Sequence, residues 1–280
     1  MRTTAMTEMI ELIDSEASQL RDFLAGLDAE GWSRPSACVG WTVGDVAAHL
    51  TQGASTWSAA ITRATAGDVN PPPGQPPLRP GERGSEATAQ RAIVFRQEMG
   101  QEALLQAFAD GYQQLRQVLL EVQSEDWDKP CFHRRGILSI RDYVGLRLQE
   151  LTIHGWDMRS AFDAATPLSE RPLSVLVGLA QRWLSNTFHH TPRLSAPVRY
   201  RFDISDPVPV RQDVLVSPDS FQIVPVADSG ADVTFRCRTG DYILLVYGRL
   251  PLDRAVDTGQ LKIEGNREQA FLFTTLFQGV

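Results

Sequence analysis

Residues 148–157 read LQELTIHGWD and lie near the middle of a helix that the sequence predicts from about Ser139 to Ala164. Glu150 and His154 are four positions apart in this stretch. At about 100° per residue, two such side chains are separated by roughly 40° around the helix axis and project from one face. Carboxylate oxygens and imidazole nitrogens are both good ligands for zinc and similar divalent ions. The stretch therefore predicts part of a metal site on one helix.

A second stretch, residues 40–50, reads GWTVGDVAAHL and supplies a further candidate ligand. Thr42 and Asp45 resemble a capping box, which predicts that a helix begins here and continues to about Thr65. His49 lies inside this helix between apolar residues. Its imidazole should face the protein interior, where an unpaired polar group is costly and a partner is needed.

Taken singly, these residues have ordinary explanations. A lone His49 is typical of a core histidine paired with a carbonyl or carboxylate, and Glu150 with His154 is typical of an exposed helix face. Their joint placement on helices of one bundle favours a shared metal ion. Three protein ligands leave a coordination position open, as catalytic zinc requires. The sequence therefore predicts a divalent metal centre at His49, Glu150 and His154, with zinc as the first candidate ion.

Helical periodicity dominates residues 1–166, where apolar residues recur at three- and four-residue steps. Four helices are predicted, at about residues 7–27, 42–65, 86–122 and 139–164. No convincing strand interrupts them, so we expect an all-α four-helix bundle. Gly100 and Gly111 are points where the third helix could bend. The segment from Asn70 to Gly84 holds six prolines and three glycines, which favours an exposed connector, with a substrate lid as the alternative.

Residues 167–280 have a different pattern, in which short β-rich segments alternate with helices. Strands are predicted at 198–204, 214–216, 221–226, 233–237 and 261–263. Helices are predicted at 172–187, 239–250 and from Asn266 to Phe277. An α+β domain with an antiparallel sheet fits this order. We therefore expect two domains, 1–166 and 167–280.

Composition excludes several classes of function. The net charge of −7 and the lack of clustered lysine and arginine argue against nucleic-acid binding. No apolar run approaches the roughly 18 residues of a membrane span, and no secretion signal is evident. Three widely spaced cysteines give no disulfide framework, which favours a cytoplasmic protein. Cys131 and His133, in a predicted loop, lack further ligands nearby and are not expected to bind metal.

The same two stretches also carry a family resemblance. GWTVGDVAAHL and ELTIHGWDMRSA resemble the hallmark segments of the mycothiol-dependent maleylpyruvate isomerase family, which has a DinB-like bundle. ADVTFRCRTGDYILLVYGRLP and GQLKIEGNREQAF are similar to the sterol-carrier-protein-like domain that often follows that bundle. Carried over by position, the family's metal triad falls on His49, Glu150 and His154. Asp157 could orient a ligand, although a structural role is the alternative.

The resemblance makes Arg249, in the YGRLP segment, a candidate catalytic residue that would bind a substrate carboxylate. A surface charge at the end of a helix is the alternative explanation.

The resemblance implies a metal-dependent enzyme that activates a low-molecular-weight thiol, with mycothiol as the first candidate. A thiolate in this family adds to an activated cis double bond, and rotation followed by elimination gives the trans product. The same thiolate could serve S-transfer, or thiol exchange in natural-product biosynthesis. A noncatalytic small-molecule binder with a structural metal and a metal-dependent hydrolase are further alternatives. The sequence leaves the substrate, the thiol, the metal and the oligomeric state open.

Overall fold

The computed structural model describes residues 4–72, 75–78, 85–189, 194 and 196–278. The chain divides into two compact units, Met1–Thr166 and Pro167–Val280. Part of the proline-rich segment 70–84 lies outside the described residues, so its role stays a prediction. None of the described helices is both long enough and apolar enough to cross a membrane.

The first unit is a helical bundle, as the sequence predicts. Its elements are α1 (Thr4–Ala25), α2 (Ala29–Ser33), α3 (Val43–Thr65), α4 (Ser85–Met99), α5 (Gln101–Glu121), β1 (Pro130–His133), β2 (Gly136–Ser139) and α6 (Ile140–Arg159). Helices α1, α3, α5 and α6 form the bundle, because α1 and α3 each pack against both α5 and α6. Leu20, Leu24 and Leu50 are fully buried in its core, and each such side chain contributes about 1.5–3 kcal/mol relative to exposure.

The start of α3 is fixed by the capping box that its sequence predicts. The Thr42 side chain accepts a hydrogen bond from the Asp45 amide, and the Asp45 carboxylate accepts one from the Thr42 amide. Asp45 also accepts a 2.6 Å hydrogen bond from Arg96 Nε on α4. These contacts set where the helix begins, and His49 follows within its first two turns.

Two predictions for this unit are wrong in detail. The third predicted helix is two helices, because Gly100 adopts a left-handed φ of 74° and separates α4 from α5. Strands are also present: β1 and β2 form an antiparallel hairpin with Arg134 and Arg135 at its turn. Cys131 and His133 therefore lie on a strand and not in a loop.

The second unit is the predicted α+β fold. Its helices are α7 (Leu173–Thr187), α8 (Thr239–Val246), α9 (Leu252–Asp257) and α10 (Arg267–Leu276). Its strands are β3 (Val198–Ile204), β4 (Val210–Ser217), β5 (Ser220–Val224), β6 (Val233–Cys237) and β7 (Leu261–Gly265), in the spatial order β5-β4-β3-β6-β7. The expectation of a wholly antiparallel sheet is wrong, because β3 and β6 pair in parallel.

An aromatic cluster joins this sheet to α10. The Phe273 ring lies 5.4 Å from Phe202 and 5.5 Å from Phe235, in edge-to-face contact with both. All three side chains are buried, and such pairs add about 0.5–1.5 kcal/mol each to the effect of burial. The parallel pair β3 and β6 thus carries the core of the second unit.

Candidate metal centre

The structure brings His49, Glu150 and His154 together where α3 faces α6. His49 Nε2 lies 3.0 Å from Glu150 Oε2, and His154 Nε2 lies 3.6 Å from the same oxygen. The two imidazole centroids are 5.1 Å apart. Ligand atoms around a tetrahedral zinc ion with bonds of about 2.0–2.1 Å are roughly 3.3 Å from each other. The spacing of this donor set therefore fits one divalent cation.

The three side chains are sheltered but reachable. The exposed fractions of the side chains are 20% for His49, 31% for Glu150 and 16% for His154. Trp41 lies beside both imidazoles, with its ring centroid 5.3 Å from that of His49 and 6.4 Å from that of His154. The indole restricts how far the two rings can turn.

Burial of His49 and the charges around Glu150 favour the ligating form of these two groups. Burial lowers the pKa of His49, an effect only partly opposed by its hydrogen bond to Glu150. Burial by itself would raise the pKa of Glu150, but the hydrogen bond from His49 and the neighbouring positive charges outweigh burial and hold the pKa well below its usual range. A neutral imidazole and an ionised carboxylate are the forms that bind a metal.

Asp157, which the sequence suggests could orient a ligand, contacts the second ring nitrogen of His154 together with Cys38. Asp157 is fully buried, and its Oδ2 lies 2.9 Å from His154 Nδ1. Cys38, from the loop between α2 and α3, donates a 2.9 Å hydrogen bond from its thiol to the same oxygen, and its sulfur lies 3.5 Å from Nδ1. A carboxylate on Nδ1 leaves the lone pair of Nε2 free for a metal.

Cys38 was missed because nothing in its local sequence marks it. It lies 116 residues from His154 along the chain. Together, Cys38, His154 and Asp157 offer a second set of ligand atoms within 4.8 Å of one another. This outer set would use Nδ1 of His154, whereas the inner set with His49 and Glu150 would use Nε2.

Comparisons with known proteins agree with the two-unit organisation. Residues 13–159, more than half of the chain, match the mycothiol maleylpyruvate isomerase N-terminal domain. Residues 193–278 match the SCP-2 sterol transfer family. The chain belongs to the mycothiol maleylpyruvate isomerase family. The sequence resemblance to this family is thereby confirmed.

Solved structures share the fold of this family member over nearly its whole length. A crystal structure of a histidine-to-alanine variant of the mycothiol-dependent maleylpyruvate isomerase has a TM-score of 0.62 at 15% identity, and covers 92% of each chain. A crystal structure of the same enzyme without that substitution has a TM-score of 0.60 at 16% identity, and the match covers 88% of this chain and 90% of the other chain. At these identities the likeness shows a shared fold. No curated protein matched the chain.

Arg249, the candidate catalytic residue in this family member, lies in the second unit just after α8. Its side chain is half-buried. Its amide donates a 2.8 Å hydrogen bond to the Leu244 carbonyl, and its Nη1 donates a 3.2 Å hydrogen bond to the Tyr247 carbonyl. Contacts of this kind suit a cation at a helix C-terminus. The catalytic assignment of Arg249 stays a prediction.

The CxH pair of this family member has a different character from the metal centre. Burial raises the pKa of Cys131 to about 12, and burial followed by the charge of Arg135 lowers the pKa of His133 to about 4. Among the described residues, neither belongs to a group of three possible metal ligands. His133 therefore serves as a matched control for the histidines of the candidate site.

Replacing Asp157 with asparagine should weaken divalent-metal binding by about 10–100-fold, because the amide no longer fixes the His154 tautomer through a charged acceptor. Competition between the apo-protein and a chromophoric chelator measures this affinity. Cys38→Ser, which keeps a hydrogen-bond donor, should leave the affinity unchanged. If Cys38→Ser abolishes metal binding, the ion occupies the outer set of ligands and the inner assignment is wrong.

Proposed function

We propose that this protein is a metal-dependent enzyme in which His49, Glu150 and His154 hold a divalent cation, with zinc as the first candidate, for chemistry with a small thiol. One observation carries the proposal: three ligand atoms of suitable type converge within 4.8 Å of one another on facing helices. All three side chains are partly exposed, so a small molecule could reach them. A structural zinc site would instead be closed by four protein ligands.

The residues around this centre have different roles in holding the ligands in place. A divalent cation held there would keep a coordination position open and favour the thiolate of a small thiol, whose ordinary pKa is about 8.5. Glu150 contributes the one negative charge of the ligand set. Asp157 accepts a hydrogen bond from His154 Nδ1, and Trp41 confines both imidazoles. These contacts preorganise the ligands and so limit reorganisation when a thiol binds.

Mycothiol is the thiol that we propose, because the matched family is named for it and the two solved structures are of a mycothiol-dependent isomerase. The thiolate sulfur would form a C–S bond to one carbon of an activated cis double bond, and the π electrons would move onto the conjugated carbonyl. Rotation about the resulting single bond and expulsion of the thiolate would restore the double bond in the trans geometry. The thiol is regenerated, so no oxidant or reductant is consumed. We further propose that Arg249 binds a substrate carboxylate during this step.

A panel of thiols tests the proposal. Purified full-length protein would receive maleylpyruvate with mycothiol, glutathione, ergothioneine or no thiol, and products would be followed by mass spectrometry and chromatography. We expect turnover with mycothiol, none above the uncatalysed rate without thiol, and loss of turnover with a chelator that added zinc reverses. A product of unchanged mass indicates isomerisation, and a thiol adduct indicates S-transfer. Thiol-independent turnover, or a product heavier by one water, would contradict the proposal and point to a hydrolase.

A further inference from the structure

Arg147 carries a buried charge that has no role in the chemistry proposed above. Its side chain is 1% exposed in the middle of α6. One Nη donates hydrogen bonds to Tyr112 Oη and, at 3.4 Å, to the Leu50 carbonyl. Both acceptors are neutral, and Nε has no hydrogen-bond partner among the described residues. Burying a guanidinium without a hydrogen-bonded carboxylate is costly.

Helix α3, which lies opposite Arg147, leaves space for the guanidinium at Gly53. His49, Gly53 and Trp57 follow one another at four-residue steps along one face of α3, and Gly53 stands where the guanidinium enters. A Cβ added at Gly53 would overlap Arg147 Nη1 and lie 3.3 Å from Cζ. The guanidinium carbon also lies 5.6 Å from the centroid of the Trp57 ring, within the range of a cation–π contact.

This position is one helical turn from the candidate metal centre. Arg147 precedes Glu150 by three residues on α6, and Gly53 follows His49 by four residues on α3, so the guanidinium lies on the same helix–helix face as the ligands. Because both of these hydrogen-bond acceptors are neutral, neither neutralises the positive charge of the guanidinium. In a protein interior, such a charge acts over several ångströms with little screening by salt.

The net charge at the candidate metal centre shows which kind of ligand Arg147 favours. A dication, the Glu150 and Asp157 carboxylates and the Arg147 guanidinium together carry a net charge of +1. A cation entering the site is repelled by Arg147, whereas an anion arriving beside the cation is attracted. The arrangement thus weakens the hold on the metal and strengthens the hold on an anionic ligand.

We propose that Arg147 is a positioning residue that tunes this centre for the anionic form of a small thiol, at the expense of affinity for the cation. The inference rests on the proposed function, because it presupposes a thiol bound beside a divalent ion. It adds that a residue without contact to the thiol determines how tightly the thiol is held. A merely structural Arg147 would affect folding, and would not shift the two affinities in opposite directions.

Cobalt(II) provides a readout other than turnover. Full-length protein loaded with cobalt(II) would be titrated with mycothiol at one pH, and the sulfur-to-cobalt charge-transfer absorption would report thiol binding. Zinc affinity would be measured separately by competition with a chelator. We expect Arg147→Met to raise the dissociation constant for mycothiol about tenfold, as a unit charge some 10 Å away would. Zinc should bind Arg147→Met as tightly as the wild-type protein or more tightly.

Two variants control for charge and position. Arg147→Lys keeps the charge and should bind mycothiol nearly as well as the wild-type protein. Arg141→Met removes an exposed arginine of the same helix, which pairs with Asp128, and should change neither affinity. If Arg147→Met does not fold, as judged by circular dichroism, Gly53→Ala replaces it. This variant keeps the charge but displaces the guanidinium from α3, and should weaken mycothiol binding severalfold while zinc binding is retained.

The outcomes separate the inference from the proposed function. If Arg147→Met, or Gly53→Ala where it is needed, binds mycothiol as tightly as the wild-type protein, or loses zinc, the inference is wrong and the proposed function stands. If the wild-type cobalt protein shows no charge-transfer band with mycothiol, the proposed function is wrong. The inference, which rests on that function, is then wrong as well.

Discussion

Substitution of any one of the three proposed metal ligands should reduce the bound divalent metal from about one ion per chain to a small fraction. The variants are His49→Ala, Glu150→Gln and His154→Ala. Structural zinc sites with four ligands bind with roughly 10–16 kcal/mol, or about 3 kcal/mol per ligand, so one loss should weaken affinity by roughly 100–1000-fold. Glu150→Gln is the most informative variant, because it keeps the shape of the side chain and removes its charge. Metal content after dialysis, measured by mass spectrometry, provides the test.

His133→Ala is the matched control for these substitutions. His133 is also a sheltered histidine of the first unit, on β1, and its ring lies 5.8 Å from Tyr143 and 6.5 Å from Trp57. The His133→Ala variant should bind as much metal as the wild-type protein. Circular dichroism must show that all four variants fold. Stoichiometric metal in all three ligand variants would leave the helical bundle without an assigned centre.

The parts of this structure that could be predicted from sequence are those fixed by local pattern. The capping box at Thr42 sets the start of α3, and a four-residue step places Glu150 and His154 on one face of α6. Strands β3 and β6 match their predicted bounds, because both are apolar, β-branched or aromatic at alternating buried positions. In each case the residues that decide the structure lie within a few positions of each other.

The contacts of Cys38 and Arg147 could not be predicted, because they join segments that are distant in the chain. Cys38 reaches Asp157 across 119 residues. Arg147 is buried only because Gly53, on a different helix, leaves room for it, whereas a lone arginine on a helix is usually exposed. The β1–β2 hairpin was missed for a related reason: its strands have four residues each, too few for a clear alternating pattern.

Replacing Asp213 with alanine should destabilise the second unit by about 3 kcal/mol. Asp213, on β4, is fully buried and lies opposite Arg201 on β3. It accepts hydrogen bonds of 2.8 and 3.0 Å from Arg201, and of 3.0 Å from both Arg199 and the Ala227 amide. Removing one member of a buried pair costs about 3–5 kcal/mol, since the other charge is left uncompensated. We expect the lower end, because the side chain of Arg199 is 26% exposed and can be hydrated.

Hydrogen exchange localises this effect to one unit of a two-unit chain, where a single melting temperature would not. Peptides from β3, β4 and β6 should exchange roughly a hundredfold faster in Asp213→Ala, which corresponds to about 3 kcal/mol. Asp203→Ala is the control, because Asp203 lies on β3 and pairs with the exposed Arg236. Such surface pairs contribute about 0–1 kcal/mol, so its exchange should stay close to wild type. Equal exchange in the two variants would contradict a stabilising role for Asp213.

The pH dependence of the same experiment gives an independent check. Burial by itself would raise the pKa of Asp213, but hydrogen bonds from two arginines and a backbone amide outweigh burial and lower the pKa from 3.8 to about 2. Because the pKa is depressed in the folded protein, the ionised carboxylate stabilises the fold fully above pH 3.8, and this contribution is lost as the pH falls toward 2. The stability difference between wild type and Asp213→Ala should therefore be constant near neutral pH and shrink across that acidic interval. A difference that stayed constant down to pH 2 would mean that lost packing, and not the lost charge, accounts for the destabilisation.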